Sequence, residues 1–366
     1  MRPGYPLGRG LSGFLRERAT GPVPVNAASL VKSWIYHCRF QSYFALSRQE
    51  AARKEISSME GLPDLPEPLE MEVLSDSCSL ANQFSLWDEM GPALDRLAEM
   101  SRRVGDRLGL ARTEYFRGAR CVNEGEYRQA VEHYQQALAS AREVGDANLQ
   151  AEVLNDMGFC HRRMADDESA LKHYRESLDI RERTGDQPGQ AESLNNIGLA
   201  LCRQQRFAEA KEALGRAMKI EEAIGDKVGA GYTLLNLSHL ASQRGEHDRA
   251  EELCRRSLAV RREIGDQLGL GYCYTNLACW AKDRNQPEEA LGLLEQAISA
   301  FSTAGENYSL IEARLQKARY LMGFKMREEA RREVSRLAPL MAEEGAAERQ
   351  FKIFQELRAS LDDNPS

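Results

Sequence analysis

The chain has 366 residues, of which 42% are hydrophobic and 29% are charged, and 49 basic against 56 acidic side chains give a formal net charge of −7. The apolar fraction is too high for a wholly disordered chain, and the acidic balance offers no overall positive field to nucleic acid or anionic lipid. No stretch approaches the roughly 18 consecutive apolar residues that a membrane-spanning helix needs. We therefore expect neither nucleic acid nor a membrane as the partner.

The N-terminal region carries weaker signals than the rest of the chain. Residues 1–25 contain Gly and Pro throughout, and we expect them to be disordered. Arg16 and Glu17 break their short apolar run, so a secretory signal is missing and a cytoplasmic location is expected, with an arginine-rich organelle-transit segment as the alternative. Residues 26–70 are interpreted as a helical cap or a degenerate repeat, because apolar positions in them lie 40 residues ahead of matching ones.

The strongest pattern, from residue 71 onwards, is a repeat of 40 residues. Gly-Asp or Gly-Glu pairs recur at this spacing, and Gly345 marks a weaker seventh position. The pairs are Gly105-Asp106, Gly145-Asp146, Gly185-Asp186, Gly225-Asp226, Gly265-Asp266 and Gly305-Glu306. A fixed period of this length indicates a stacked array of one supersecondary unit.

Two helical patterns lie between consecutive pairs. In one repeat they run from Ala151 to Arg163 and from Glu168 to Arg183, each with apolar residues at helical spacing. The glycine of each pair can adopt the left-handed backbone that ends a helix, and the aspartate can accept hydrogen bonds from the first amides of the next helix. Each repeat is therefore predicted to be a helix, a tight turn with Gly125, Gly245 or Asn285, and a second helix.

Small residues at two matched positions predict where the two helices of a repeat cross. Small side chains let the backbones approach closely, and neighbouring aromatic or Leu side chains such as Tyr134 and Tyr174 fill the space beside them. The first-helix set is Cys78, Gly118, Gly158, Gly198, Ser238, Ala278 and Ala318. The second-helix set is Ala130, Ala170, Ala210, Ala250, Ala290 and Ala330. One such hairpin cannot bury its apolar face, whereas stacked neighbours can.

Along each repeat, a small residue is followed by an alanine, then by an aromatic or Leu residue, and last by an Ala or Ser residue. This order resembles the tetratricopeptide repeat (TPR). The last of these positions holds Ala137, Ser177, Ala217, Ser257 and Ala297. The period exceeds the usual TPR length of about 34, and is similar to the long repeats of kinesin light chain, the spindle-orienting G-protein modulators and bacterial regulatory proteins. The resemblance implies an all-α fold, a right-handed α-solenoid of antiparallel helix pairs (TPR superhelix). The predicted repeats are 71–110, 111–150, 151–190, 191–230, 231–270, 271–310 and 311–350, with a capping helix over 348–361.

Candidate binding residues lie on the first helices, which the resemblance places on the concave side of a curved array. In related repeats an Asn at one first-helix position contacts the backbone of a bound peptide, and Asn196, Asn236 and Asn276 match that position. Such an amide offers both a donor and an acceptor. The alternative is that these amides bond the neighbouring helix and stabilise the stack. The candidates at or just before this position are Asn155, Asp156, Asn195, Asn196, Asn236 and Asn276.

Charged and aromatic residues surround these amides. Arginines in the N-terminal half would suit an acidic side chain or a carboxylate, because a guanidinium can pair with it in a bidentate manner. Tyrosines lie one turn before the asparagines, and the alternative for all of these residues is a solvated face. The further candidates are Arg163, Arg203, Tyr232, His239, Tyr272 and Lys282.

Motifs for catalysis or metal binding do not occur. The chain has no phosphate-binding loop, metalloprotease motif, nucleophile elbow or zinc-finger spacing, and its eight cysteines include no CxxC pair. We expect no enzymatic activity, no cofactor and no metal. The leading hypothesis is a protein-interaction scaffold that binds a peptide segment of a partner in the concave groove. The alternative is a regulatory sensor that binds a signalling peptide or small ligand and controls a transcriptional or signalling partner; the oligomeric state stays open.

Overall fold

The computed structural model describes Lys54 and residues 67–83, 87–342 and 348–362. In these ranges the chain forms fifteen α-helices and no strand. The segment 1–25, nearly all of the expected cap over 26–70, and Gly345 lie outside the described residues. The all-α class predicted from the repeat pattern is confirmed.

The helices belong to two compact units, with the division between Arg206 and Phe207. Unit 1 contains α1 (Glu67–Gln83), α2 (Trp87–Val104), α3 (Arg107–Asn123), α4 (Tyr127–Val144), α5 (Ala147–Arg163), α6 (Asp167–Thr184) and α7 (Gln187–Arg203). Unit 2 contains α8 (Phe207–Ile224), α9 (Lys227–Gln243), α10 (His247–Ile264), α11 (Gln267–Asp283), α12 (Pro287–Ala304), α13 (Asn307–Gly323), α14 (Arg327–Ala342) and α15 (Glu348–Asp362). In each unit consecutive helices pack against one another, so each is a solenoid of helical hairpins.

The joints between hairpins follow the predicted capping chemistry. Gly145 has φ 74° and ψ 20°, and its N–H donates to the carbonyls of Ala141 and Arg142 at the end of α4. The Oδ1 atom of Asp146 then accepts a hydrogen bond from the Leu149 N–H at 3.0 Å. Because Asp146 caps the helix, α5 begins at Ala147 and not at Ala151, where the apolar pattern placed its start.

The same joint recurs along the chain with one exception. The glycines of the other pairs also have positive φ, and the other four aspartates accept cap hydrogen bonds. Glu306 stands at the cap position of α13 but makes no side-chain cap hydrogen bond. A glutamate carboxylate is one methylene further from the backbone, which explains why this joint differs from the aspartate joints.

The turns inside the hairpins are more uniform in structure than in sequence. Gly125 and Gly245 have φ of 80° and 77°, and Asn285 has φ of 57°, as the turn residues predicted. Ala165, Gln205 and Lys325 also have positive φ, at 62°, 59° and 63°. Sequence analysis missed these three because their side chains disfavour the left-handed region. The stacked hairpins impose the turn on them.

The helix crossings confirm the role of the small residues. A Cβ atom at Gly118 would lie 2.5 Å from Cε1 of Tyr134, and one at Gly158 would lie 2.6 Å from Cε1 of Tyr174. Both tyrosines are fully buried, so each ring occupies the space that the glycine leaves. The Ala170 side chain at the matching position of α6 is also fully buried.

One matched position near the end of the second helices holds a buried charge in three consecutive repeats. Arg181 on α6 donates from Nη1 to the Gly189 carbonyl and to Ser193 Oγ, both at 2.8 Å. Glu221 on α8 accepts from the Thr233 hydroxyl at 2.8 Å. The guanidinium of Arg261 on α10 is fully buried, and it pairs with Asp266 and donates from Nε to Ser257 Oγ. The charged residue and its hydrogen-bond partners therefore differ from one joint to the next, whereas the apolar core residues recur in each repeat.

Two further observations concern membrane and thiol chemistry. Among the residues that the structure describes, no helix is both long and apolar enough to cross a bilayer. The seven cysteines in this part of the chain are free thiols, and six of them are buried. They contribute to the hairpin cores as small apolar side chains.

Candidate partner-binding surfaces

The candidate residues lie on one row of helices in each unit. We call α3, α5 and α7 the first-helix face of unit 1, and α9, α11 and α13 the first-helix face of unit 2. Helix α5 contacts both α3 and α7, and α9 contacts α11. Side chains at matched positions of these helices are therefore neighbours across the stack.

The asparagines of unit 1 divide into packing and surface positions. Asn155 is 5% exposed, and its Oδ1 accepts a hydrogen bond from Asn196 Nδ2 at 2.9 Å. Its own Nδ2 donates to Glu192 Oε1 at 3.4 Å. Asn195 is also buried, whereas Asn196 is half-buried. Asn155 thus links α5 to α7, which is the packing role that the sequence left open, and Asn196 is the more accessible amide.

Asp156 has an unusual electrostatic environment on the same face. Burial, together with the nearby carboxylate of Glu192, raises the pKa of Asp156 to about 7, although a hydrogen bond with the Tyr115 hydroxyl opposes this shift. Glu152, one turn earlier on α5, adds further repulsion. The carboxyl group of Asp156 is therefore partly protonated near neutral pH.

The two arginines of unit 1 are oriented by the preceding hairpin. Arg163 donates from Nε to the Tyr127 hydroxyl at 2.9 Å, and its guanidinium carbon lies 5.3 Å from the centre of the Tyr127 ring. Arg203 donates from Nε to both carboxylate oxygens of Asp167, at 2.8 and 3.1 Å. Asp167 thus already compensates the charge of Arg203. Arg163 is bonded to a neutral hydroxyl, so it is the better suited of the two to an acidic ligand.

The tyrosines of unit 2 are exposed but held in place. Tyr232 is 42% exposed, and the Arg261 guanidinium carbon lies 4.3 Å from the centre of its ring. Tyr272 is 38% exposed, and its hydroxyl lies 3.1 Å from Ser309 Oγ. The Tyr272 ring also meets Phe301 edge-on, with 5.2 Å between ring centres.

The remaining unit 2 candidates have different environments. Asn236 and Asn276 are half-buried, like Asn196 in unit 1. His239 lies on the surface of α9, and partial desolvation of its ring lowers the pKa of the imidazole. Lys282 is exposed, and its Nζ lies 3.3 Å from the carboxylate of its neighbour Asp283.

Two surface features escaped the sequence analysis. Tyr308 on α13 is 46% exposed, and it lies one turn before the position that matches Tyr232 and Tyr272. A position-by-position comparison of the repeats therefore does not find it. In unit 1, Phe159 meets Tyr127 edge-on, and Arg162 lies over its ring at 5.2 Å.

One group of potential metal ligands is present in the described ranges. The ligand atoms of Cys121, Glu124 and Glu126 all lie within 4.8 Å of one another. Burial and these two carboxylates raise the pKa of the Cys121 thiol. A metal ligand must be the thiolate, so this environment favours the protonated thiol over coordination.

Taken together, the stacked hairpins and their first-helix faces define the class of protein as an α-solenoid. Sequence models of the tetratricopeptide repeat match residues 120–147, 149–223 and 230–303. The chain therefore belongs to the tetratricopeptide-repeat family, and its repeats form a protein-interaction scaffold. No curated protein matches it in sequence.

Solved structures of similar fold cover most of the chain. A Rap protein complexed with Competence and Sporulation Factor has a TM-score of 0.62 and 15% identity, covering 92% of this chain and 99% of its own. The apo form of RapI has a TM-score of 0.60 and 13% identity, covering 75% and 99%. Aspartyl phosphate phosphatase F from Bacillus subtilis has a TM-score of 0.56 and 14% identity, covering 94% and 95%. At these identities the likeness extends to the fold alone.

Proposed function

We propose that this chain is a non-enzymatic scaffold that binds a peptide segment of a partner protein along its first-helix faces. The observation that carries the proposal is a half-buried amide at one matched first-helix position, at Asn196 on the face of unit 1 and at Asn236 and Asn276 on the face of unit 2. Each of these side chains is partly accessible. Partial exposure is what an amide that recognises a peptide backbone requires.

The chemistry of these amides suits an extended peptide. An amide side chain can donate to a carbonyl and accept from an N–H, so it can pair with both polar groups of one peptide unit. On the face of unit 1, Arg163 adds a cation for an acidic side chain of a ligand. On the face of unit 2, Tyr232 and Tyr272 add aromatic surface. These flanking side chains would determine which peptide sequences bind, and the amides would contribute affinity without sequence preference.

A regulatory sensor is the second candidate. A Rap protein of similar fold was solved in complex with Competence and Sporulation Factor. By analogy, binding of a signalling molecule to this chain would control its interaction with a transcriptional or signalling partner. The two candidates differ in whether the ligand changes the affinity for a second protein.

The scaffold proposal is tested by affinity purification of the tagged full chain, with bound proteins quantified by mass spectrometry. The variant Asn196→Ala, Asn236→Ala, Asn276→Ala is expected to retain helical circular dichroism and to lose its principal partners. A matched control replaces three exposed amides of second helices, Gln135, Gln136 and Gln296, by alanine. This control is expected to retain the partners.

Retention of every partner by the asparagine variant would reject the first-helix faces as the binding surface. Equal loss in both variants would show that the first-helix asparagines have no special role. Adding the purified ligand to the complex of this chain with its partner then distinguishes the sensor from the scaffold. A change in the affinity of the chain for the partner supports the sensor, and an unchanged affinity supports a scaffold alone.

A further inference from the structure

Two buried thiols are in contact between neighbouring hairpins of unit 2. Cys254 lies on α10 and Cys273 on α11, and both side chains are fully buried. The Sγ atom of Cys254 lies 3.5 Å from the Cys273 carbonyl oxygen, and the two thiols are hydrogen-bonded to each other. The interface between these helices thus contains a pair of thiols, which the binding surfaces described above do not use.

Polar groups surround the Cys273 sulfur within the core. Its Sγ atom lies 3.4 Å from Ser257 Oγ, which in turn accepts a hydrogen bond from Nε of Arg261 at 3.1 Å. The Arg261 guanidinium is fully buried, and its Nη2 atom has no hydrogen-bond partner in the described part of the chain. A buried cation favours negative charge on a neighbouring group, and a thiol can supply it by losing its proton.

These contacts make the two thiols unequal. The hydrogen bond with Cys254 lowers the pKa of the Cys273 thiol to about 7, although burial opposes this shift. Ser257 and the charge of Arg261 contribute to the lower pKa, whereas the charge of Asp266 opposes it. The same hydrogen bond, together with burial, raises the pKa of the Cys254 thiol. Cys273 is therefore the nucleophilic sulfur of the pair, and Cys254 keeps its proton.

Other buried thiols of the chain have a different environment. Cys202 on α7 is also buried, and burial raises the pKa of its thiol to about 11. Burial likewise raises the pKa of the Cys78 thiol to about 12. Both stay protonated at neutral pH, and a protonated thiol is a poor nucleophile. Burial alone therefore does not account for the properties of Cys273.

We propose that Cys254 and Cys273 are an oxidation-sensitive pair, which a hydroperoxide such as hydrogen peroxide converts to a disulfide between α10 and α11. The Cys273 thiolate attacks a peroxide oxygen, the O–O bond breaks, hydroxide leaves, and Cys273 becomes a sulfenic acid. The Cys254 sulfur then attacks the Cys273 sulfur, and the sulfenic hydroxyl leaves with the Cys254 proton as water. The first hydroxide recovers the proton that Cys273 had released. The two thiols thus lose two electrons and two protons, and the peroxide is reduced to two water molecules.

Burial determines how the oxidant reaches these sulfurs. Neither side chain is exposed, so hydrogen peroxide reaches them only when α10 and α11 separate locally. Folded proteins open in this way without unfolding globally. Once the interface has closed again, Cys254 lies next to the oxidised Cys273 and completes the disulfide.

The disulfide would join two consecutive repeats of unit 2. Helix α10 is the second helix of one repeat and α11 is the first helix of the next, and the joint at Gly265 and Asp266 connects them. Helix α11 also carries Tyr272 and Asn276, on either side of Cys273. Oxidation would therefore restrict a helix that holds candidate binding residues. This consequence rests on the proposed function, whereas the disulfide itself does not.

The test is oxidation of the purified, fully reduced full chain with hydrogen peroxide at neutral pH. The chain is then unfolded in guanidinium chloride with N-ethylmaleimide, which alkylates every remaining thiol, and it is digested with trypsin without reduction. Mass spectrometry is expected to detect the peptide Ala250–Arg255, which contains Cys254, joined to Glu263–Lys282, which contains Cys273 and Cys279. Fragment ions should show that Cys279 is alkylated and that Cys273 is linked. Dithiothreitol should remove the link.

Matched controls locate the reaction. Cys254→Ser is expected to abolish the cross-linked peptide, whereas Cys279→Ser, at a less buried thiol on the same helix as Cys273, is expected to retain it. In the parent chain, Cys202 is the control for burial, and its oxidation is expected to be at least about tenfold slower than that of the pair. Circular dichroism checks that each variant is folded. If Cys254→Ser does not fold, the parent chain with its internal control still tests the proposal.

Absence of the cross-linked peptide after oxidation of the parent would overturn the proposal. A link at Cys279 in place of Cys273, or equally fast oxidation of Cys202, would also overturn it, because exposure or unfolding would then explain the reaction. This experiment uses no partner protein. Its failure is therefore distinguishable from failure of the proposed function, which the asparagine variant tests.

Discussion

Asp156 is a half-buried residue of α5 whose carboxyl group is difficult to ionise. Its neighbours Glu152 and Glu192 are acidic, and the compensating Arg181 makes its hydrogen bonds to Gly189, Ser193 and Glu192. The folded state therefore holds the Asp156 proton more tightly than the unfolded chain does. A group of this kind couples protonation to stability in a direction opposite to that of a salt-bridged carboxylate.

The pH dependence of unfolding follows from this shift. The pKa of Asp156 is raised from its ordinary value to about 7, so between about pH 4 and pH 7 the folded state binds more protons than the unfolded state, and stability decreases as the pH rises. In Asp156→Asn this contribution is absent. Between about pH 5 and pH 8, the melting temperature of the parent is expected to fall by a few degrees relative to that of the variant.

The measurement is thermal unfolding followed by circular dichroism across this pH range. Asp179→Asn, which changes an exposed aspartate on α6, is the control and should keep the parent's pH profile. Parallel profiles for the parent and Asp156→Asn would contradict the assignment of the raised pKa to this group.

At the scale of the hairpin, the close approach of two helices depends on glycine. Gly158 on α5 faces the buried Tyr174 ring, and a Cβ there would lie 2.6 Å from a ring carbon. Gly215 on α8 has no atom within 4 Å of the equivalent Cβ position. Both glycines lower helix propensity, but only Gly158 is needed for a close contact. Comparing the two positions therefore distinguishes the steric role of glycine from its effect on helix propensity.

Alanine substitutions at these glycines should have opposite effects. Gly158→Ala is expected to destabilise the chain by about 1–3 kcal/mol, because the ring must move within a packed core. Gly215→Ala is expected to stabilise it by about 0.5–1 kcal/mol through helix propensity alone. Urea denaturation gives both free energies, and equal effects at the two positions would argue against the crossing as the cause.

The turn inside a hairpin offers a second matched pair. Gly125 and Ala165 occupy the same repeat position with φ of 80° and 62°. Ala165→Gly is expected to stabilise the chain by about 0.5–1 kcal/mol, because the left-handed backbone strains a residue with a Cβ. Gly125→Ala should destabilise it by a similar amount. Thermal unfolding compares them, and a loss of stability in Ala165→Gly would be inconsistent with strain at that turn.

At the scale of the whole molecule, the sequence predicted those structural features that depend on local chemistry. Gly145 and Asp146 end one helix and begin the next through their own backbone and side chain, so their spacing revealed the array of hairpins. The exposure of a side chain depends on neighbouring hairpins, which the repeat pattern does not specify. Asn155 and Asn196 were therefore predicted alike, although one is buried in the stack and the other is partly accessible.

The same distinction explains the surfaces that sequence analysis missed. Tyr308 departs from the repeat register by one turn, so no matched position indicated that its side chain would be exposed. The raised pKa of Asp156 arises from burial and from carboxylates on two helices, and the repeat pattern does not indicate that these side chains come together. Local rules thus define the elements, and contacts between repeats define the candidate site.

The buried charges at the ends of the second helices also bear on how such a chain can evolve. Arg181, Glu221 and Arg261 alternate in sign at one repeat position, and Glu221 bonds to a hydroxyl of the following repeat. Excision of residues 227–266 by unequal recombination would preserve the 40-residue phase but bring the Glu221 carboxylate opposite Cys273 in place of Thr233. A buried carboxylate without its donor is costly. Gene rearrangements that alter the copy number of repeats would therefore need compensating substitutions at the new junction, although the hairpins look interchangeable by their apolar residues.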